Sequence, residues 1–281
     1  MSPLVFFAVL FAALLHAIWN ALLKISGDRL VIMAVTTATA ALLVTPLLFT
    51  LPAPAPASWP FLAMSVGLHF IYMLLLVRAY GFGDFAQVYP VARGSAPLMT
   101  ALLGYVFLNE SMQPTELFGM PLIISGIFAL TLERTAGILH LPRTALIYSL
   151  LTGVSIAAYS LIDGVGARLS GSSHSFAVWM FFLDGFLIPL AAFIRRPAAI
   201  LKQTIKLVWR HGVIVAILST AGYWLIIWAF SLERIAPVAV LRETSVLFAL
   251  LISIFVLKER ISRIRIAIVL LIVTGILLLG I

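Results

Sequence analysis

The sequence predicts an all-α integral membrane protein whose ten transmembrane helices form two inverted five-helix repeats. Three observations carry that prediction. Hydrophobic residues make up 63% of the 281 residues and charged residues only 10%, against about 25% charged in soluble domains, so there is too little polar surface to coat a globule in water. The apolar residues fall into ten segments, each near the roughly 20 residues that cross a hydrocarbon core as a helix. Finally, residues 84–130 align without a gap on 233–279 at a fixed offset of 149. Arg93 falls on Arg242, Leu98 on Leu247, Leu108 on Leu257, Glu110 on Glu259 and Gly126 on Gly275, with Asp84 on Glu233 and Ser125 on Thr274. Such duplication in a membrane chain points to a site shared by two repeats.

Taken in order, the segments are 3–23, 30–51, 59–80, 86–108, 115–132, 144–163, 174–194, 211–230, 235–257 and 262–281. The first reads as a span, not a cleaved signal peptide. It has no basic leader, is too long for a signal core, and carries His16, Trp19 and Asn20. Pro52, Pro54 and Pro56 mark an extended connector after the second segment. The most polar stretch near the midpoint, 133–143, separates a first repeat, 1–132, from a second, 144–281. The stretch 197–210 carries Lys202, Lys206 and Arg210 at i, i+4, i+8, and reads equally as an interfacial amphipathic helix or a solvated loop.

Loop charge sets the orientation. The connector after segment 2 has no charge, while its counterpart after segment 7 has Arg195, Arg196, Lys202, Lys206 and Arg210. The connector after segment 4 has Glu110 and no Lys or Arg, while its counterpart after segment 9 has Lys258, Arg260, Arg263 and Arg265. Lys and Arg stay cytoplasmic. The loops after segments 1, 3, 5, 7 and 9 are therefore expected inside and both termini outside, with Arg168 and Arg234 on the outer side. An odd number of helices per repeat makes the second copy insert upside down. The net charge of +8 sits in these loops, which argues for membrane orientation and against nucleic-acid binding.

Ionisable groups inside a bilayer cost about 2.5–3.5 kcal/mol each on insertion scales, so each needs a reason. Arg93 and Arg242 lie about seven residues from opposite ends of their spans, roughly 10 Å deep. Paired guanidinium forks suit carboxylate or phosphate recognition; the competing readings are a structural ion pair or snorkelling. Glu243 adjoins Arg242, although neighbours on a helix project about 100° apart. Asp184, at the centre of segment 7, and Glu243 are candidate proton-coupling carboxylates, or members of fixed bridges such as Asp184 with Arg93 or Arg242. His16, Asn20 and Lys24 form one stripe bordered by Trp19, facing a cavity or a neighbouring helix. Tyr72, Tyr89, Tyr159 and Tyr223 are candidate substrate walls. His69 reads as a packing residue, Arg78 as snorkelling, and Asp163 as an interfacial residue. Pro90 and Pro97 bracket Arg93, and Pro237 precedes Arg242, where bends would suit rocking motions.

With the duplication of a five-helix unit, the "LNES" and "LKER" turns at Glu110 and Glu259, Gly126 and Gly275 sixteen residues later, and "HAIWNALLK" in segment 1, nearly the whole chain resembles the ten-helix branch of the drug/metabolite transporter superfamily, with two EamA-type domains. The resemblance implies an alternating-access secondary carrier of a bacterial inner membrane, moving a small organic metabolite by efflux or exchange. The arginine pair adds the expectation of an anionic group on that metabolite. A lipid-linked substrate flippase is the alternative. Segments 1, 3, 4, 6, 8 and 9 would line the cavity. No enzyme activity is expected: the five histidines are scattered, no HExxH occurs and no nucleophile motif is present. The absence of cysteine excludes disulfides and thiolate chemistry. No cofactor or metal is implied, no nucleotide-binding loop is present, and fused repeats make a monomer the expectation.

Overall fold

A computed structural model describes the backbone of residues 1–24, 28–82, 85–134, 142–255 and 263–280. It describes their side chains except at 21, 23, 24, 29, 85–87, 89, 90, 130–134, 253–255 and 265. Asp84, the 135–141 junction, Lys258, Glu259 and Arg260 lie outside the described residues, as do the side chains of Lys24, Tyr89 and Arg265. The described residues form α1 (Pro3–Lys24), α2 (Arg29–Val44), α3 (Trp59–Phe82), α4 (Phe85–Leu108), α5 (Pro114–Arg134), α6 (Arg143–Leu169), α7 (Ser173–Arg195), α8 (Ala198–Leu232), α9 (Ile235–Arg242), α10 (Ser245–Phe255) and α11 (Arg263–Gly280), with no strand among them. Among the described residues, eight stretches are long and apolar enough to cross a membrane, and Pro114–Ala129 and Ile266–Leu279 are shorter apolar helices.

Local chemistry sets the boundaries. Asp28 caps α2 by accepting from the backbone N–H groups of Leu30 and Val31. Pro46, which has no N–H to donate, follows Val44, and the chain tightens into a 3-10 turn over Thr45–Phe49. The predicted second span is thus α-helical only to Val44. At α5, Gln113 N–H donates back to the Glu116 carboxylate at 2.8 Å, the reciprocal half of a capping box. Between α4 and α5, Asn109 takes a left-handed conformation at φ 51°, which Asn tolerates better than most residues.

Three elements differ from the sequence expectation. Residues 198–210 are neither a separate interfacial helix nor a loop; they are the first turns of α8, 35 residues long. They stay helical because Leu201 and Val208 pack on Val31, Ile32 and Val35 of α2, leaving Lys202, Lys206 and Arg210 exposed. Segment 6 runs on to Leu169. Segment 9 is not one helix: α9 ends at Arg242 and α10 begins at Ser245. Pro237 does not cause that break. It lies in the first turn of α9, where its missing N–H removes no helical bond.

The chain divides into two compact units. Unit 1 comprises Met1–Leu14, Ile71–Leu161 and Glu233–Ile281. In it α5 and α11 run antiparallel at very close range. A Cβ at Gly119 would meet the Gly275 carbonyl oxygen at 2.9 Å, and one at Gly126 would meet Ile272 at 2.4 Å. Small residues let the two backbones touch, the usual device where lipid supplies no drive for helices to associate. A Cβ at Gly153 of α6 would meet Ser95 Oγ at 2.1 Å and the Ala92 oxygen at 3.0 Å, so α6 presses on α4 on either side of Arg93.

Unit 2 comprises Leu15–Phe70 and Ile162–Leu232. Here α2 and α7 run antiparallel: Asp28 meets Arg196 at 2.7 Å, Gly185 lies against Ala41, and Val44 shares a core with Phe176, Met180 and Ile227. At the far end of α2, Ala55 N–H donates to the Ser170 oxygen at 3.0 Å. Hydroxyls inside the helices bond to carbonyls one turn back, as Thr45 does to Ala41, Ser149 to Ala145 and Ser160 to Ile156. Large apolar side chains such as Phe7, Phe107, Phe118, Phe193 and Leu277 point outward, a surface suited to acyl chains.

The Asp28–Arg196 pair gives a pH-dependent term. Partial burial pushes the Asp28 carboxyl up, but the Arg196 hydrogen bond and charge, with the Val31 and Leu30 N–H groups, pull it below its ordinary 3.8. A depressed carboxylate stabilises fully above that value and loses its contribution as pH falls below it. Asp28→Ala should therefore lower stability by about 1 kcal/mol at neutral pH, the worth of a helix cap, and the solvent-screened ion pair adds little. Melting curves of wild type and variant should converge below about pH 4.

Candidate functional site

Unit 1 brings together the two arginines that the repeat alignment pairs. Arg93 on α4 and Arg242 at the end of α9 are 6% and 3% exposed, and both reach Glu243, which is 1% exposed. Arg93 Nη2 lies 3.0 Å from Glu243 Oε2. Arg242 Nη2 and Nε each lie 3.3 Å from Oε1. A helical wheel puts Arg242 and Glu243 about 100° apart, and the break defeats that argument. Glu243 sits at the C-cap with φ −69° and ψ −10°, and Glu243 and Thr244 turn on three-residue bonds to Val240 and Leu241. The altered rise swings the carboxylate back onto both guanidinium groups.

The repeats are unequal at this point. The residue equivalent to Glu243 is Gly94, inside the uninterrupted α4. A Cβ at Gly94 would meet the Phe128 ring at 2.8 Å, so α5 fills the place a carboxylate occupies in the second repeat. Among the described residues, two repeat-related cations thus share one anion. Each guanidinium reaches one oxygen of the shared carboxylate, Arg93 to Oε2 and Arg242 to Oε1. In the same unit Tyr72 and Tyr159 meet edge to face at 5.7 Å.

Unit 2 holds a second cluster that the sequence reading missed. Asp184 is not paired with either arginine; its Oδ2 lies 3.0 Å from His69 Nδ1. Asp163 is not interfacial. It is fully buried, 3.5 Å from His69 Nε2, and accepts a hydrogen bond from the Tyr223 hydroxyl. Nor is His69 a mere packing residue, since it bridges two carboxylates. Asp163 ends the predicted segment 144–163, and it is the extension of α6 to Leu169 that carries it inside. On α1, Asn20 donates to the His16 carbonyl at 2.7 Å and Trp19 packs edge-on against His16 at 4.8 Å, so part of the predicted polar stripe is internal to the helix. The candidates thus sort into Tyr72, Arg93, Tyr159, Arg242 and Glu243 in unit 1, and His16, Trp19, Asn20, Asp184 and Tyr223 in unit 2. Arg78 is exposed, as snorkelling requires.

Glu110 of the "LNES" turn is another residue the sequence undervalued. Its carboxylate accepts the first N–H of α9, from Ile235, at 3.0 and 3.2 Å, a charge-dipole cap on a helix start. Arg234 beside it donates to the Ser111 oxygen and, at 2.7 Å, to Glu116. The turn after α4 and the start of α9 are thereby tied together at the head of the helix that ends in Arg242.

A chain of apolar helices, outward-facing aromatics and charged groups held inside those helices defines a multi-pass membrane protein. The model of the EamA-like transporter family matches residues 3–132 and 143–281, and the chain belongs to that family: it is a membrane transporter of small molecules. One solved structure, titled only "Crystal structure of protein", matches with a TM-score of 0.76 at 17% identity, covering 98% of this chain and 94% of that one; it shares the fold. A search of curated proteins gave no match.

Removing one partner of a buried ion pair costs about 3–5 kcal/mol when it leaves a charge uncompensated, so Glu243→Gln, which orphans two guanidinium groups, should lower thermal stability strongly, and Arg93→Gln, which leaves Glu243 paired with Arg242, should lower it less. The double variant should lose markedly less than the sum of the two. A double-mutant cycle on apparent melting temperature checks the pairing; additive losses would contradict it.

Proposed function

We propose that the protein is an alternating-access secondary carrier for a small anionic metabolite, working by efflux or exchange in a bacterial inner membrane. The observation that carries this reading is the convergence of Arg93 and Arg242 on Glu243. Glu243 offsets one of the two guanidinium charges and leaves the group with a net charge of +1. A substrate carboxylate or phosphate competes for the same nitrogens, and Glu243 returns as the substrate leaves. The guanidinium groups thus face an anion whether or not substrate is bound. Tyr72 and Tyr159 would contribute apolar walls with polar tips.

The test is a thermal-shift panel on the purified protein. Phosphate monoesters, monocarboxylates and dicarboxylates are compared with neutral amide and alcohol analogues. An anion at about 100 times its Kd stabilises by about 2.7 kcal/mol, a shift of several degrees. Active anions should shift wild type but neither Arg93→Gln nor Arg242→Gln. Equal shifts from the neutral analogues, or retention in both variants, would remove the anion reading. Counterflow in proteoliposomes then separates a carrier from a channel, since only a carrier accelerates exchange from the far side.

Ten spans in two inverted repeats, with both termini outside and one copy sufficient, is the architecture proposed for this carrier. The antiparallel pairing of α2 with α7 and of α5 with α11, repeat-equivalent helices in each case, supports it. So does the separation of the Asp28–Arg196 contact from the Ala55–Ser170 contact at opposite ends of α2. The chain has no cysteine, so single cysteines report cleanly. Ala55→Cys and Lys202→Cys should be labelled by an impermeant maleimide from opposite sides, and labelling from one side would contradict the inversion.

A further inference from the structure

We infer that His69, Asp163 and Asp184, with Tyr223, form a buried proton-binding site in unit 2. The site rests on the carrier class alone and does not need the anion reading. Four helices supply it: His69 from α3, Asp163 from α6, Asp184 from α7 and Tyr223 from α8. Both ring nitrogens of His69 face carboxylate oxygens, Nδ1 toward Asp184 Oδ2 at 3.0 Å and Nε2 toward Asp163 Oδ2 at 3.5 Å. Ionised carboxylates only accept, so the imidazole must carry an N–H on each nitrogen. The cluster then comprises one cation and two anions, with an excess charge of −1.

The second observation locates the missing proton. Asp163 Oδ2 receives both Tyr223 and His69, while Asp163 Oδ1 is buried and, among the described residues, has no hydrogen-bond partner. A buried carboxylate oxygen with no protein donor is the costliest atom of the cluster, because no side chain or backbone N–H offsets its charge. A proton arriving there forms one O–H bond and takes the cluster from −1 to neutral. The donor is hydronium: one of its O–H bonds breaks, water leaves, and release to water reverses the step. Loading and release therefore both need water to reach Asp163.

Among the described residues, the other titratable groups on the packed elements have contacts of their own or lie far along their helices. Between Leu30 and Val44, α2 has no titratable side chain. On α1, His16 is engaged with Trp19. On α7, His174 accepts from Trp224 Nε1 at 2.8 Å. On α6, Arg168 donates to the Phe230 oxygen. Lys202, Lys206, Arg210 and His211 lie at least three turns of α8 before Tyr223, about 18 Å away or more. A metal is disfavoured: among the described residues no group of three His, Cys, Asp or Glu is arranged to hold one.

The test is a pH titration of the full-length protein in lipid nanodiscs, from about pH 4 to about pH 9, followed by infrared difference spectroscopy of the carboxylic acid C=O band. Wild type should show a buried carboxylic acid band that titrates. The band should vanish in Asp163→Asn and persist in Glu243→Gln. His69→Gln should move the midpoint by about one pH unit or more, a tenfold change in proton affinity. If Asp163→Asn fails to fold, as judged by its melting curve, Tyr223→Phe serves instead; it removes one hydroxyl and should displace the same midpoint. Absence of any such band in wild type, or a titration unchanged in Asp163→Asn and in Tyr223→Phe, would overturn the assignment. Arg93→Gln and Arg242→Gln should leave this titration intact while abolishing the anion-induced thermal shift. Failure of either reading is therefore visible without the other.

Discussion

Lipid offers no hydrogen bonds, and that one constraint shapes every polar atom in this chain. The backbone meets it by becoming helix almost throughout. Serine and threonine hydroxyls meet it by folding back onto their own helices. The charged side chains cannot meet it alone, so they gather. Arg93 and Arg242 gather on Glu243, and Asp163 and Asp184 gather on His69. Helix packing follows from the same constraint. With no hydrophobic drive between helices, α5 and α11 adhere through glycines that let backbones touch.

The break at Glu243 shows how duplication becomes asymmetric. The arginine occurs in both repeats, as Arg93 and Arg242, but only the second repeat has a carboxylate one residue on. In the first repeat Gly94 lets Phe128 close over α4, and the helix runs straight through. In the second, the turn at Glu243 and Thr244 spends helical bonds to place one carboxylate between two cations. Glu110 anchors the start of the same short helix, so α9 is held at its head by one carboxylate and abuts another at its tail. A short helix fixed at both ends by charge is a well-defined lever on Arg242.

Much of this was legible along the chain. The spans follow from apolar run length, and the duplication from a constant offset. The membrane class follows from how few charges there are to cover a surface. Arg93, Arg242 and Glu243 were legible as well, because a charge inside an apolar run has to be explained. Their mutual pairing was not. Periodicity assumes an unbroken helix, and on an unbroken helix Arg242 and Glu243 point apart. His69 and Asp163 were misjudged for a related reason: a histidine in an apolar run and an acid near a predicted helix end each look unremarkable in isolation. Only their approach, across stretches of chain 94 and 115 residues apart, as His69 meets Asp163 and Asp184, makes them a cluster.

The sequence by itself determined the solvent and the presence of two related halves, because these depend on composition and on distances measured along the chain. Tertiary structure alone decided which buried charges are partners, where the ninth segment breaks and how far α6 and α8 extend. Those outcomes depend on what stands opposite each residue across a helix interface, and one-dimensional spacing carries no record of it.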